Sequence, residues 1–180
     1  MARVILINGA PGTGKSTIAH QLAQDRPLDL ALDLDMLKHS LGQWDADMTA
    51  AGYQARRLAL AVVAAQIDSG HDVYVGQFLA KTEFIDQLQN VAEGHGATFV
   101  ELVLTASVST LQRRLVERAL HPGRPEHLIN ATVVSTEDVP TLVRAIDRLA
   151  TLRPSAKLVD ASGDLDVTVE RVRRILAVDC

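Results

Sequence analysis

The sequence predicts an α/β fold in three layers, a five-stranded parallel sheet between two layers of helices. Three observations point there. Short strand-like runs alternate with helix-length runs along the 180 residues, as in repeated strand–helix–strand crossovers. The strand-like runs are close to continuously aliphatic, as burial on both faces requires. A glycine-rich patch separates the first strand from the first helix, where a doubly wound sheet places its ligands.

The elements follow in order. Val4 to Asn8 reads as strand one, and Lys15 to Gln24 as a helix broken by Arg26-Pro27. Leu28 to Leu34 reads as strand two and Met36 to Leu41 as a short helix. Gly42 to Met48 reads as a loop. A long helix spans Thr49 to Asp68, with Leu58, Ala61, Val62 and Ala65 on its apolar face, and Ser69-Gly70 ends it. Strand three is Asp72 to Val75. The helix Lys81 to Glu93 stops at Gly94 and Gly96. Strand four is Thr98 to Leu104, and a helix runs from Ser107 to Leu120. "HPGRPEH", with two prolines and a glycine, is a loop. Thr136 to Leu149 is a helix with Ser135 as N-cap. Strand five is Lys157 to Asp160, and Val167 to Leu176 is the last helix. No repeat or linker divides residues 1–180, so a single domain is expected.

"GAPGTGKS", Gly9 to Ser16, fits G-x-x-x-x-G-K-[ST] in full. Gly9, Gly12 and Gly14 permit backbone angles closed to other residues. The N–H groups of the loop, Ala10, Pro11 and Thr13 included in its span, can then converge on one anion. The helix opening at Lys15 adds its positive end. Lys15 reaches β- and γ-phosphates, the Ser16 hydroxyl suits Mg²⁺, and Thr17 suits the α-phosphate. A strand before the motif and a helix after it are the context that gives the motif meaning.

Composition limits the rest. The net charge is −4, which argues against nucleic acid as the main partner. Hydrophobic residues make up 47% and aromatics 3%, so the core is aliphatic. The single cysteine, Cys180, allows no intrachain disulfide, and a reducing cytoplasm is the expected location. The chain reads as entering strand one at once, so no signal peptide is expected, and no apolar run approaches the ~20 residues of a membrane span. The six histidines lack zinc-ligand spacing.

Five pieces, "NGAPGTGKST", "LDLDMLKHSL", "GHDVYVGQF", "LQRRLVERA" and "VDASGDLDVTVERVRRIL", occur in the order found in a known group. The chain resembles the small P-loop kinases of the nucleoside monophosphate kinase type. Within them it is most similar to the shikimate kinase, gluconate kinase and chloramphenicol phosphotransferase group, and to zeta-toxin and polynucleotide kinase domains. The resemblance implies a P-loop NTPase fold with a small helical lid, at about 113–130. It implies ATP and Mg²⁺ as cofactors and a hydroxyl on a small molecule as acceptor. A nucleotide sugar or nucleic-acid 5′ end is the alternative acceptor, and a nucleotide-dependent regulatory NTPase is the rival from another class.

Site residues follow from the same resemblance. Asp35 is expected as general base or orienting acceptor, and Asp33 as Mg²⁺ support through water; both could instead cap the following helix. Lys38 and Trp44 are candidate acceptor contacts, against a solvated face and simple packing. Arg118, with Arg114 four residues before it and Arg124 from the lid loop, is expected to close over ATP and steady the moving phosphoryl group. Backbone around Ala161 to Asp164 is expected to pack on adenine. Strand three ends in Gly76-Gln77 where many P-loop proteins carry an acid. Gln77 becomes a candidate acceptor contact, and Gly76 would let a substrate approach.

Overall fold

The computed structural model describes residues 1–120 and 135–178. Twelve elements occur among them: β1 (Arg3–Gly9), α1 (Lys15–Ala23), β2 (Leu30–Leu32), α2 (Leu34–His39), α3 (Met48–Asp68), β3 (Val73–Gly76), α4 (Glu83–Gly94), β4 (Thr98–Thr105), α5 (Val108–Leu120), α6 (Val139–Leu152), β5 (Lys157–Asp160) and α7 (Leu165–Val178). The five strands form one parallel sheet in the order β2-β3-β1-β4-β5. This is the expected three-layer α/β/α architecture. The expected lid is described only as far as Leu120; Arg124 and the loop "HPGRPEH" lie outside the described residues.

β1 is the central strand and every one of its residues is buried. Val4 and Leu6 point to one face, into a core shared with α3 and α4. Ile5 and Ile7 point to the other, against α1 and α7. Burial on both faces is why the strand reads as one aliphatic run. A third cluster joins Ala10 and Val103 to Leu111 and Leu115 of α5 and to Val139 and Ile146 of α6. It anchors α5 beside the glycine-rich turn.

Several boundaries differ from the sequence reading, for local reasons. β2 is only Leu30–Leu32, because Leu28 turns out at φ 68° after Pro27. α2 begins at Leu34, earlier than expected, because Asp33 Oδ1 accepts from the Asp35 and Met36 N–H groups at 2.8 and 3.2 Å and caps it. α6 starts at Val139, not Thr136. The Asp138 carboxylate accepts from Ser135 N and Oγ, both at 2.9 Å, holding Ser135 outside the helix. In α3 the expected apolar face is corrected. Ala51, Ala55, Ala59, Val63 and Ile67 are buried, whereas Ala61 and Ala65 are exposed. Many alanines blur the periodicity. The buried row runs at strict i, i+4 spacing and presents small residues for close approach.

Charge inside the fold is paired at the end of the sheet away from the glycine-rich turn. Asp72 is 2% exposed, and its carboxylate accepts from Arg3 N, Nε and Nη2 at 2.8, 2.9 and 2.6 Å. Arg3 Nη1 also donates to the Leu176 carbonyl at 3.0 Å, binding α7 to the sheet. On the flank, Arg153 donates to Glu101 at 2.8 Å, Asp86 at 2.7 Å and Gln89 at 2.8 Å, tying the end of α6 to β4 and α4. Burial pushes the Glu101 carboxyl above its usual range, with Arg153 opposing that shift.

Removing one partner of a buried pair strands the other charge. Asp72→Ala is therefore expected to destabilise the protein by about 3–5 kcal/mol in urea unfolding. The double replacement Arg3→Met/Asp72→Leu is expected to recover most of that loss. Equal destabilisation by the two variants would show that packing, not the stranded guanidinium, sets the effect.

Candidate functional site

The turn from β1 to α1 forms the floor of the site. Gly12 and Gly14 adopt φ 91° and 90°, in the left-handed region that favours glycine. A Cβ on Gly9 would lie 2.8 Å from the Leu104 carbonyl oxygen and 2.9 Å from Thr13 Oγ1, so the loop threads where no side chain fits. Thr13 is buried, and its hydroxyl donates to the Ala10 carbonyl at 2.8 Å, closing the loop on itself. Ala10 is buried, and Pro11, Ser16 and Thr17 are half-buried around the rim. No side chain caps the N-terminus of α1, where Gly14 is the cap residue. Its first N–H groups are left to a ligand.

Two residues hold this floor in place. Asn8 is fully buried. Its Oδ1 accepts from Gly9 N at 2.8 Å and Leu79 N at 2.9 Å, and its Nδ2 donates to the Leu79 carbonyl at 3.0 Å. It fastens the loop to the segment that leaves β3. The signal in the sequence is a polar amide closing an otherwise aliphatic strand, which burial obliges to find partners. Gly76 is the second. A Cβ there would lie 3.0 Å from the Lys15 carbonyl carbon and oxygen and 3.1 Å from Ser16 Cα. The close approach expected at Gly76 is made by the backbone of α1, not by a substrate.

Lys15 is half-buried, and its Nζ donates to the Ala10 carbonyl at 3.2 Å. Desolvation pulls the amine from 10.5 down to about 8. The Arg118 charge adds to the fall, while Asp35 and Asp33 oppose it. Arg118, half-buried on α5, is itself lowered by burial. Among the described residues neither cation has a carboxylate within ion-pair distance. The structure thus gathers Lys15, Arg118, Asp33 and Asp35 at the mouth of one loop. An anion there would relieve the repulsion between the two cations, and a polyphosphate fits this donor set.

The remaining expected residues divide. Asp33 is engaged as the α2 cap, and Asp35, the second residue of α2, is half-buried. Lys38 Nζ lies 5.1 Å from the Trp44 ring centroid and the His39 ring 4.4 Å from it, so Lys38 and Trp44 pack on each other. Gln77 is half-buried, and its N–H donates to the Ile7 carbonyl at 3.1 Å. No group of three or more His, Cys, Asp or Glu arranged for a metal occurs among the described residues. Ser16, at the start of α1, is the hydroxyl best placed to ligate Mg²⁺. That ion commonly takes only one or two protein oxygens beside phosphates and water.

A cleft of about 390 Å³ continues from the loop, walled by Gly12, Gly14 and Thr17 on one side and Ser162, Gly163 and Asp164 on the other. Arg114 bridges the walls. Nη1 donates to Ala161 O at 2.8 Å and Gly12 O at 3.4 Å, and Nη2 to Gly163 O at 2.5 Å and Ser162 O at 3.3 Å. Its donors are directed at carbonyls, so its place is that of a strut between the phosphate loop and the loop after β5.

A family model described as an AAA domain matches residues 4–139, and the chain belongs to that family. No curated protein matches its sequence. Similar solved structures include a putative kinase from Chloroflexus aurantiacus (19% identity, 98% of this chain and 97% of that chain covered, TM-score 0.66). A gluconokinase from Sinorhizobium meliloti is also similar (19% identity, 98% and 96% covered, TM-score 0.61). So is the Mycobacterium tuberculosis APS kinase, solved with AMPPNP and APS (17% identity, 98% of each chain, TM-score 0.63). These likenesses show the fold, a P-loop NTPase-like α/β/α sandwich over nearly the whole chain.

Gly76→Ala tests the contact between β3 and the loop. Forcing a methyl against backbone is expected to cost about 1–3 kcal/mol of stability. It is also expected to weaken nucleotide binding, read by titration calorimetry, because Lys15 and Ser16 move with their backbone. Undiminished nucleotide affinity would show that the loop tolerates the displacement.

Proposed function

We propose that the protein is an ATP- and Mg²⁺-dependent kinase that transfers the γ-phosphoryl group to a hydroxyl on a small molecule. The observation that carries this reading is the glycine-rich turn at the uncapped start of α1, with Lys15 in it near enough to Arg118 and Asp35 to feel both charges. A binding module would need the cradle alone. A cation on a separate helix, Arg118 of α5, and a carboxylate on another, Asp35 of α2, suit transfer. The solved structures of similar fold that carry kinase names agree with it.

Bound Mg²⁺–ATP supplies the phosphoryl group and an electrophilic phosphorus. The loop N–H groups of Gly12 to Ser16 hold the phosphate oxygens. Ser16 offers its hydroxyl to the metal, and Asp33, through water, can support the same shell while its other contacts cap α2. Lys15 and Arg118 neutralise charge on the phosphoryl oxygens, with Arg118 acting more strongly in the transition state than in the ground state. Asp35 orients the acceptor hydroxyl and takes its proton as the new O–P bond forms and the bond to ADP breaks. Gln77, Lys38 and Trp44 are proposed as acceptor contacts. Arg114 keeps the walls of the base cleft at a fixed separation, and Arg124 is proposed to join from the lid loop.

Labelled ATP with a panel of alcohol acceptors tests the reading. Label is expected to pass to at least one acceptor. Lys15→Ala and Arg118→Ala are expected to lower turnover about 10³-fold. Asp35→Asn is expected to lower turnover strongly with nucleotide affinity within about twofold, since hydroxyl activation contributes about 10²–10⁴-fold. Release of inorganic phosphate at a rate that no acceptor alters would instead mark a regulatory NTPase.

A further inference from the structure

The backbone ladder between β1 and β3 ends at Ile7 and Gly76, and the Gln77 N–H adds one bond to the Ile7 carbonyl at 3.1 Å. One residue further along β1, the Asn8 side chain takes over. Its amide offers an acceptor and a donor, as a peptide group does. Oδ1 accepts from Leu79 N at 2.9 Å and Nδ2 donates to Leu79 O at 3.0 Å, so one side chain satisfies both backbone groups of Leu79. The same Oδ1 accepts at 2.8 Å from Gly9 N, the first N–H of the phosphate loop. Asn8 is fully buried and Leu79 is 5% exposed, so water does not compete for these bonds. The residues before Leu79 lean on the loop as well. Gly76 lies so close to the Lys15 and Ser16 backbone that a Cβ would not fit, and Phe78 packs on the cluster that holds Ala10. On its other side, Leu79 enters the core with Phe84, Ile85 and Leu88 of α4. Of these ties, the Asn8 amide is the one in which a side chain fixes direction at both ends.

Resting on the nucleotide-binding part of the kinase reading, we propose that Asn8 is a positioning residue that carries the occupancy of the phosphate loop to the segment from Gln77 to Leu79. A polyphosphate gathers the loop N–H groups and shifts Gly9. Because Oδ1 is shared, a shift at Gly9 N re-aims the amide at Leu79. Gln77, proposed above as an acceptor contact, then takes its working place when nucleotide is bound. The coupling runs both ways: whatever fixes Gln77 to Leu79 tightens nucleotide binding by the same factor.

The full chain, isotope-labelled for amide NMR, is titrated with Mg²⁺–ADP. Amide signals of Thr13 to Thr17 report the loop, and that of Leu79 reports the segment. Leu30, whose N–H is bonded to the Asp72 carbonyl at the other end of the sheet, is the control. The Leu79 signal and the Asn8 side-chain amide are expected to shift with the loop, at one midpoint, while Leu30 stays still. In Asn8→Ser, whose side chain is too short to span to Leu79, the loop is expected to respond as before and the Leu79 response to drop to the level of Leu30. Hydrogen exchange on the unaltered chain decides the matter should that variant not fold. Mg²⁺–ADP is expected to slow exchange of the Leu79 N–H at least about fivefold more than that of Leu30. A still Leu79 signal beside a responding loop, a response that Asn8→Ser leaves intact, or equal slowing at Leu79 and Leu30 would each overturn the proposal and leave the kinase reading in place. A Leu79 response that needs Asn8, in a protein that passes label to no alcohol, would keep the coupling and remove the kinase reading. Loop signals indifferent to Mg²⁺–ADP would remove both.

Discussion

Everything at the open end of the sheet is arranged around one uncomfortable charge. Lys15 sits half-buried at the start of α1, its amine lowered to about 8 by desolvation and by the neighbouring Arg118. Two cations brought together out of water repel each other, and burial opposes both. The loop carbonyl of Ala10 gives Lys15 one neutral acceptor, which does not cancel a charge. The fold tolerates this arrangement because the surrounding framework is over-determined. Asn8 fastens the loop, Gly76 lets β3 touch it, and Arg114 joins it to the loop after β5. An anion bound there would relieve that repulsion.

The contrast with the rest of the molecule sharpens that point. At the other end of β1, the Arg3 guanidinium is satisfied by Asp72 and by the Leu176 carbonyl. On the flank, each part of the Arg153 fork has an acceptor. Those pairs join strands to helices. Lys15 and Arg118 instead lie beyond the C-terminal end of β1, with no carboxylate in ion-pair reach among the described residues. Satisfied charge serves architecture here, and unsatisfied charge marks where ligands belong. The order β2-β3-β1-β4-β5 puts that side of β1 where the sheet changes direction, the natural crevice of an open α/β fold.

Much of this was legible before any coordinates. Strand-by-strand alternation carries the sheet, because a strand buried on both faces, such as Val4 to Ile7, leaves an unbroken aliphatic run. The phosphate loop is legible because few residues tolerate its geometry, which leaves Gly12, Gly14 and Lys15 as its signature. Other features were not. The face of α3 was misread because alanine satisfies either side of a helix, and only packing chose the row from Ala51 to Ile67. The role of Gly76 was misassigned because sequence shows that room is needed, not what fills it. Arg114 lines the cleft beside the loop, and the four carbonyls it also reaches lie 102 residues before it and 47 to 49 residues after it, which no local pattern reveals.

The central claim is that the ligand-free protein holds Lys15 near its midpoint of ionisation and that a polyphosphate restores its charge. Calorimetric titration of a non-hydrolysable ATP analogue with Mg²⁺ at pH 8, in two buffers of different ionisation enthalpy, measures the protons exchanged on binding. A lysine lowered to about 8 is half deprotonated at that pH. A nearby polyanion raises its pKa, so binding is expected to take up about half a proton. Uptake should fall away below pH 7, where the amine is already charged, and should be absent from any residual binding by Lys15→Met. A heat independent of buffer, or an uptake that Lys15→Met leaves unchanged, would contradict the account.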